Sequence, residues 1–158
     1  MRARIIPALL LALLLAACTS TTAQNLPAEK VPQTVRTAFS ARFAAAQKVQ
    51  WELEKEHVYE AEFTADGAKA SACFDATGKW LETETDVQEA ALPEAVRKTI
   101  AAKYAHQKVE ECEEVETPDG KHYEVEVKKD GKATEVELKA DGTVVSSKLE
   151  EEDKDEKD

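Results

Sequence analysis

His122, Glu124 and Glu126 alternate with Tyr123, Val125 and Val127. In an extended strand that spacing sends the three polar side chains to one face. Glu135 and Glu137 alternate with Thr134, Val136 and Leu138 a short turn later, where an antiparallel partner would bring them to the same face. Like charges opposed across a sheet destabilise it unless something neutralises them. A basic patch on a protein partner would do so. A divalent cation bound by carboxylate oxygens would also do so, with His122, Glu124 and Glu126 as the candidate ligands. Lys128, Lys132 and Lys139 with ordinary counterions give the plainer reading of a solvated face.

Other chemistry is thin. His57 and His122 each stand just before a strand tyrosine and His106 ends a helical stretch, and no HExxH, GxSxG or glycine-rich phosphate loop accompanies them. No catalytic residue and no cofactor is therefore expected, and the chain reads as a non-enzyme. Asp75-Ala76-Thr77-Gly78 lacks the alternating oxygen ligands and distal glutamate of a calcium loop, and reads as a hairpin turn. Trp80 follows that turn and adjoins Leu81, so both faces of a short strand carry a large apolar group. An exposed Trp80 would be a candidate partner contact; a packed one would sit in the core or between units.

The elements that position these residues come in two sets. Val31-Pro32-Gln33-Thr34-Val35 matches Leu92-Pro93-Glu94-Ala95-Val96 at an offset of 61 residues. Tyr59-Glu60-Ala61-Glu62 matches Tyr123-Glu124-Val125-Glu126, and Phe74 to Gly78 matches Leu138 to Gly142, now at an offset of 64. Val31, Val35, Phe39 and Phe43 recur at fours, as do Leu92, Val96, Ile100 and Tyr104, each set opening on an apolar-Pro pair with the proline at the first helical position. After each helix the period falls to two, and Asp66-Gly67, Thr77-Gly78, Asp119-Gly120, Asp130-Gly131 and Asp141-Gly142 mark the turns. The pattern predicts an α+β fold: a tandem repeat of one helix followed by a four-stranded antiparallel meander, with helices on one face of the sheet. Trp51, Tyr59, Phe63, Phe74 and Tyr123 are placed in the layer between.

The units are read as residues 31–86 and 91–149. Ahead of them, basic Met1-Arg2-Ala3-Arg4 runs into an apolar stretch from Ile5 to Ala17, too short to span a bilayer, so residues 1–17 read as a signal peptide. Leu15-Ala16-Ala17-Cys18 has the form of a lipoprotein cleavage site, with Cys18 the lipidated residue and residues 18–30 a tether. Cleavage after Ala23 is the alternative and would release a soluble periplasmic protein. Either way the chain is expected on the periplasmic side of the cell envelope, held by its lipid, if present, to the outer membrane. Residues 150–158 form an acidic tail expected to be disordered.

The 32 Asp and Glu against 21 Lys and Arg give a net charge of −11. Such a surface excludes a nucleic-acid partner, which needs clustered basic residues, and favours an unidentified envelope protein of basic character. Cys73 and Cys112 remain once Cys18 is set aside, and a disulfide between them is allowed in this compartment.

Val49-Gln50-Trp51-Glu52, Tyr59-Glu60-Ala61-Glu62-Phe63 and Asp75-Ala76-Thr77-Gly78-Lys79-Trp80, following a helix that opens on an apolar-Pro pair, resemble the beta-lactamase-inhibitor-like, PepSY-like domain family of secreted bacterial proteins. The resemblance spans roughly Leu26 to Leu149, and the second copy is degenerate, with Cys112 near the place of Trp51 and Val144 near that of Trp80. It implies an α+β fold, often in tandem, that presents a sheet surface to a protein partner. The inhibitor-like name rests on likeness of fold, which does not fix function. These features together predict a non-enzymatic envelope lipoprotein acting as a protein-binding or inhibitor-like module, with Trp80, Glu124, Glu126, Glu135 and Glu137 as candidate contacts. The alternative is an envelope protein that binds or buffers divalent cations on its glutamate-rich face.

Overall fold

Val31-Pro32 and Leu92-Pro93 each lead into a ten-residue helix, α1 (Gln33–Arg42) and α2 (Glu94–Lys103). The computed structural model describes residues 25–55 and 57–149. The predicted signal peptide, Cys18, the alternative cleavage after Ala23 and the acidic tail lie outside them. Each proline sits one position earlier than its sequence suggests, as the N-cap, with ψ near 140°. Its carbonyl accepts the first helical hydrogen bond, from Arg36 N and Arg97 N, both at 3.1 Å, while its missing N–H costs nothing at that place. Among the described residues no helix is long and apolar enough to cross a membrane.

After α1 come β1 (Gln47–Lys55), β2 (Val58–Ala65), β3 (Ala68–Asp75) and β4 (Trp80–Asp86); after α2 come β5 (Lys108–Thr117), β6 (Gly120–Lys129), β7 (Lys132–Leu138) and β8 (Val144–Leu149). All eight strands join one antiparallel sheet in sequence order. The junction is β4 against β5, where Thr83 faces Glu116 and Glu84 faces Val115. At the β1 edge, Leu26 N donates to Trp51 O at 2.7 Å, so the segment before α1 covers part of that strand.

Both helices lie on the same side of the sheet, each over its own core. Val31, Val35 and Phe39 close on Trp51, Ala61, Phe63, Ala72 and Phe74, with Tyr59 and Trp80 at the margin. Leu92, Val96 and Ile100 close on Cys112, Tyr123, Val125, Val127, Val136 and Leu138. The rings of Phe39 and Phe63 meet edge-on at 5.2 Å, a favoured geometry for aromatic pairs. Strand alternation is not perfect. On the edge strand β1, Val49 lies within a register shift between Gln47 and Gln50, and both it and Leu53 are exposed; a shift between Cys73 and Phe74 lets Trp80 pair with Phe74 beside an extra residue, Leu81.

Two glycines set the distance between helix and sheet. Gly78 (φ +87°) and Gly142 (φ +82°) occupy the turns before β4 and β8, and a Cβ on them would lie 2.7 Å from Thr34 O and 2.5 Å from Ala95 O. Only a residue without a side chain lets the helix backbone settle there. Thr34 Oγ1 donates to Ala76 O at 3.0 Å and Thr99 Oγ1 to Gly142 O at 2.8 Å, tying each helix to its turn.

The acidic sheet face as candidate functional site

The helices fill one face of the sheet; the polar half of each strand's alternation faces the other way. Pairing turns that alternation into rows. Asp86 faces Glu113, Glu113 faces Glu124, and Glu124 faces Glu137, which faces Ser146. The next row runs Glu111, Glu126, Glu135 and then Lys148. In the first half Glu52 faces Glu60, Glu60 faces Cys73, and Cys73 faces Glu82. A cavity of about 1710 Å³ lies over this face, and among its lining residues carboxyls outnumber lysines and the histidine.

Directly opposed residues hold their Cβ atoms about 5 Å apart, so these carboxylates repel. The ligand oxygens of Asp86, Glu111 and Glu113 lie within 4.8 Å of one another, as do those of Glu52, Glu54 and Glu60. Two unit charges at that separation cost about 3 kcal/mol at an effective dielectric of 20. Burial and this repulsion raise the pKa of several of these carboxyls. Burial, then the neighbouring Glu84 and Glu111, pushes Glu113 up to about 8. Burial and a hydrogen bond with the Glu54 carboxyl push Glu60 up to about 8. Glu84 rises to about 7 through burial and the charges of Glu82 and Glu124, and Glu52 is raised by burial and by Glu62. His122 answers from the other sign. Its Nε2 lies 3.4 Å from Glu124 Oε1 and 3.9 Å from Glu137 Oε1, and contact with Glu124 raises its pKa. Glu137 is buried and accepts a hydrogen bond from Ser146 Oγ at 3.2 Å.

The sequence-predicted residues separate in space. Glu124, Glu126, Glu135, Glu137 and His122 share the helix-free face as expected, with Glu124 opposite Glu137 and Glu126 opposite Glu135. The groups of carboxyls close enough to share one cation are different ones: Glu52, Glu54 and Glu60, and Asp86, Glu111 and Glu113. Glu60, Glu84 and Glu113 carry the largest carboxyl perturbations and were not singled out from the sequence. Their alternation was visible in Glu60-Ala61-Glu62, Glu82-Thr83-Glu84 and Glu111-Cys112-Glu113, whereas their opposition needed the strand pairing.

Trp80 belongs to the opposite face. The Arg42 guanidinium lies 3.6 Å above the centre of its ring, its Nε1 donates to Thr83 Oγ1 at 2.9 Å, and Arg42 Nη2 reaches Glu116 Oε2 at 3.3 Å. It is therefore a clasp between α1, β4 and β5, half-buried, and it cannot share one contact patch with the glutamates. The allowed Cys73–Cys112 disulfide does not form: both cysteines are free and buried. They stand on β3 and β5, two strand spacings apart across the sheet, and Cys73 lies level with Glu82 whereas Cys112 O accepts from Val87 N, just past the end of β4; the spacing across the sheet alone, about 9.5 Å, exceeds the roughly 7 Å that a disulfide spans. They also point to opposite faces, Cys73 into the row of Glu60 and Glu82 and Cys112 into the core against Val125. Asp75 spends its carboxylate on its own turn, where Oδ1 accepts from Thr77 Oγ1, Thr77 N and Lys79 N at 2.6, 2.8 and 3.0 Å, which lowers its pKa.

Two helices on one face of an eight-stranded antiparallel sheet, with the other face left to acidic side chains, define an α+β protein built around a presented sheet surface. The chain belongs to the family described as "Putative beta-lactamase-inhibitor-like, PepSY-like", whose model matches residues 18–68 and 57–145. It is similar to a BLIP-like protein of Bacteroides fragilis, at 27% identity and a TM-score of 0.68 over 80% of this chain and 89% of that one. It also shares the fold of a DUF2874 family protein of Bacteroides uniformis, at 24% identity and a TM-score of 0.70 over 75% of this chain and 88% of the other. A protein of Bacteroides eggerthii called a "putative periplasmic" protein matches at 20% identity and a TM-score of 0.71, over 75% and 88%. Among curated proteins none matches the chain.

Proposed function

We propose that this chain is a non-catalytic, inhibitor-like binding module of the bacterial envelope whose helix-free face takes a basic surface of a protein partner. One observation carries the reading: carboxyls stand directly opposite one another across β4 to β7, an arrangement that costs stability unless positive charge is supplied from outside. The helix face is occupied by its own cores, so the acidic face is the surface left for a partner. A periplasmic location, supported by the name of the Bacteroides eggerthii relative, and a lipid anchor on Cys18 complete the reading. So does descent of residues 31–86 and 91–149 from one duplicated α-β4 unit, supported by the recurring order of a helix and four strands.

The test is binding of a lysine-rich peptide and of cross-linked envelope partners to wild-type and variant protein. Glu124→Gln with Glu126→Gln should weaken binding about five- to thirtyfold, at roughly 0.5 to 1 kcal/mol for each charge, and added salt should weaken it further. Trp80→Ala should leave binding within about threefold as long as the protein is folded. If Trp80→Ala costs more than the double glutamine variant, the surface has been assigned to the wrong face.

A second reading, divalent-cation binding, is favoured by the two groups of three carboxyls with ligand atoms within 4.8 Å, which suit a hard cation such as calcium. Calorimetric titration with calcium decides it: saturable heat that disappears in Asp86→Asn and Glu52→Gln variants supports it, and no heat at millimolar calcium removes it.

A further inference from the structure

A sheet whose strands follow sequence order has two edges, β1 and β8, and they differ. β1 is interrupted by two register shifts, carries Glu52 and Glu54, and is crossed by the segment before α1, where Asn25 bridges to Glu52 and Leu26 N donates to Trp51 O. β8 pairs with β7 and has no backbone partner on its outer side among the described residues. An open edge templates further pairing unless charge, proline or a covering segment blocks it. β8 is also the one strand without a carboxylate: Val144-Val145-Ser146-Ser147-Lys148-Leu149 has Lys148 as its single charge, in a chain of net charge −11. Elsewhere like charge opposes the approach of a second copy; here it does not. Val145 and Leu149 stand 47% and 53% exposed on this edge.

We propose that two copies of this chain pair β8 to β8, antiparallel, about a two-fold axis at Ser147, so that their sheets become one continuous sheet. Across such an axis residue i meets residue j and j meets i. Centred on Ser147, Ser146 comes level with the partner's Lys148 and Val145 with the partner's Leu149. The faces agree, since Ser146 and Lys148 follow Glu137 and Glu135 on the helix-free face while Ser147 follows Val136 on the helix face. The row that ends Glu124, Glu137, Ser146 then continues into a lysine of the second copy. A centre on Lys148 would oppose two lysines, one on Ser146 would set Lys148 against Val144, and a shift of half a step would pair opposite faces. With β1 covered, growth stops at two copies. A single strand pair is smaller than a permanent dimer interface, so the association is weak, with a Kd of about 10 to 100 µM. Pairing at β8 makes no use of the partner proposed for the acidic face.

The experiment is sedimentation equilibrium of residues 19–158, which hold the whole described fold and leave out Cys18, from about 5 µM to about 1 mM protein at about 0.15 M salt. The mass should rise from monomer to dimer and stop there. Leu149→Glu changes an exposed side chain and acts twice across the axis, so it should raise Kd about tenfold or more while leaving the melting temperature unchanged. Ser147→Cys should form a covalent dimer with copper phenanthroline as oxidant, because directly opposed residues hold their Cα atoms about 4.5 to 5.5 Å apart. Leu149→Cys, about 13 Å from the same residue of the second copy, should not. A monomer at every concentration overturns the pairing, and so does a dimer that Leu149→Glu leaves unchanged. Cross-linking of Leu149→Cys as fast as Ser147→Cys overturns the register, and masses beyond the dimer overturn closure at β1. Binding of a lysine-rich peptide to the acidic face is measured separately and stands whichever of these results is found.

Discussion

Glu84 lets the cost of the acidic face be measured without any ligand. It lies in the middle of the sheet on β4, with Ser71 Oγ at 3.4 Å as its hydrogen-bond donor and Val115 opposite it on β5. Its carboxyl titrates near 7 in the folded chain against a usual value of 4.5. A folded pKa above the unfolded one means that the native state holds the proton more tightly. Below about pH 4.5 the group is protonated in both states and costs nothing; stability is then lost as pH rises from there through 7, and the loss levels off above. The full shift corresponds to about 3 kcal/mol, and solvent reaching the face reduces this to about 1 to 2 kcal/mol. Glu84→Gln should therefore match the wild type to within about 0.5 kcal/mol at pH 4.5 and exceed it by about 1 to 2 kcal/mol at pH 9. The assay is urea denaturation of both proteins at pH 4.5, 7 and 9, read by tryptophan fluorescence and circular dichroism together. A glutamine variant whose advantage is the same at pH 4.5 and pH 9, or which is less stable at pH 9, would refute the reasoning.

Two further outcomes follow from the helix face. Gly67, Gly78 and Gly142 share nearly the same φ, but a Cβ on Gly67 meets nothing within 4 Å. Gly67→Ala should cost about 1 kcal/mol from the backbone alone, whereas Gly142→Ala should cost about 3 to 4 kcal/mol because the new Cβ meets Ala95 O of α2, which must lift off the turn. Thermal melts would show this as a difference of about 6 to 15 °C, and equal costs would mean that the close approach does not matter. At the clasp, Arg42 lies 3.6 Å from the Trp80 ring centre but pairs with an exposed Glu116. Double-mutant cycles should give about 0.5 to 1 kcal/mol of coupling between Arg42 and Trp80, and under 0.5 kcal/mol between Arg42 and Glu116. The reverse order would show that the ion pair, not the ring, holds the junction.

What the sequence revealed and what it hid divide along the distance over which a signal acts. Tyr123-Val125-Val127 against Glu124-Glu126 is a local period, and the structure buries the first set and turns the second to the other face. The turn glycines are local too, because positive φ is a demand on a single residue. The pairing of β4 with β5 is not local. A helix and its connections separate Thr83 from Glu116, and no turn residue marks the contact, so whether the chain formed one sheet or two could not be read. The same gap hid the row from Asp86 to Glu137, since every member was visible as an alternating carboxylate but their opposition depends on that pairing. The bulge at Leu81 was invisible for a different reason: a two-residue period cannot show an inserted residue. Cys73 and Cys112 follow from the same point, because parity within each strand says nothing about their shared face until register is known.

The acidic face is not what the fold requires. Sheet stability alone would place threonine, or lysine opposite glutamate, in the positions of Glu113, Glu124 and Glu137, since such pairs stabilise a cross-strand site where like charges weaken it. The molecule does use that solution at Glu135 and Lys148, at the edge, and abandons it in the centre of the sheet. The two cores must offset the difference, and they are built to do so, with Phe74, Val125, Val127, Val136 and Leu138 fully buried beneath the helices. A feature that opposes stability in the middle of an otherwise consistent structure is where function is to be sought. Here that feature is the row of opposed carboxyls from Asp86 to Glu137, the observation on which the proposed docking of a basic partner rests.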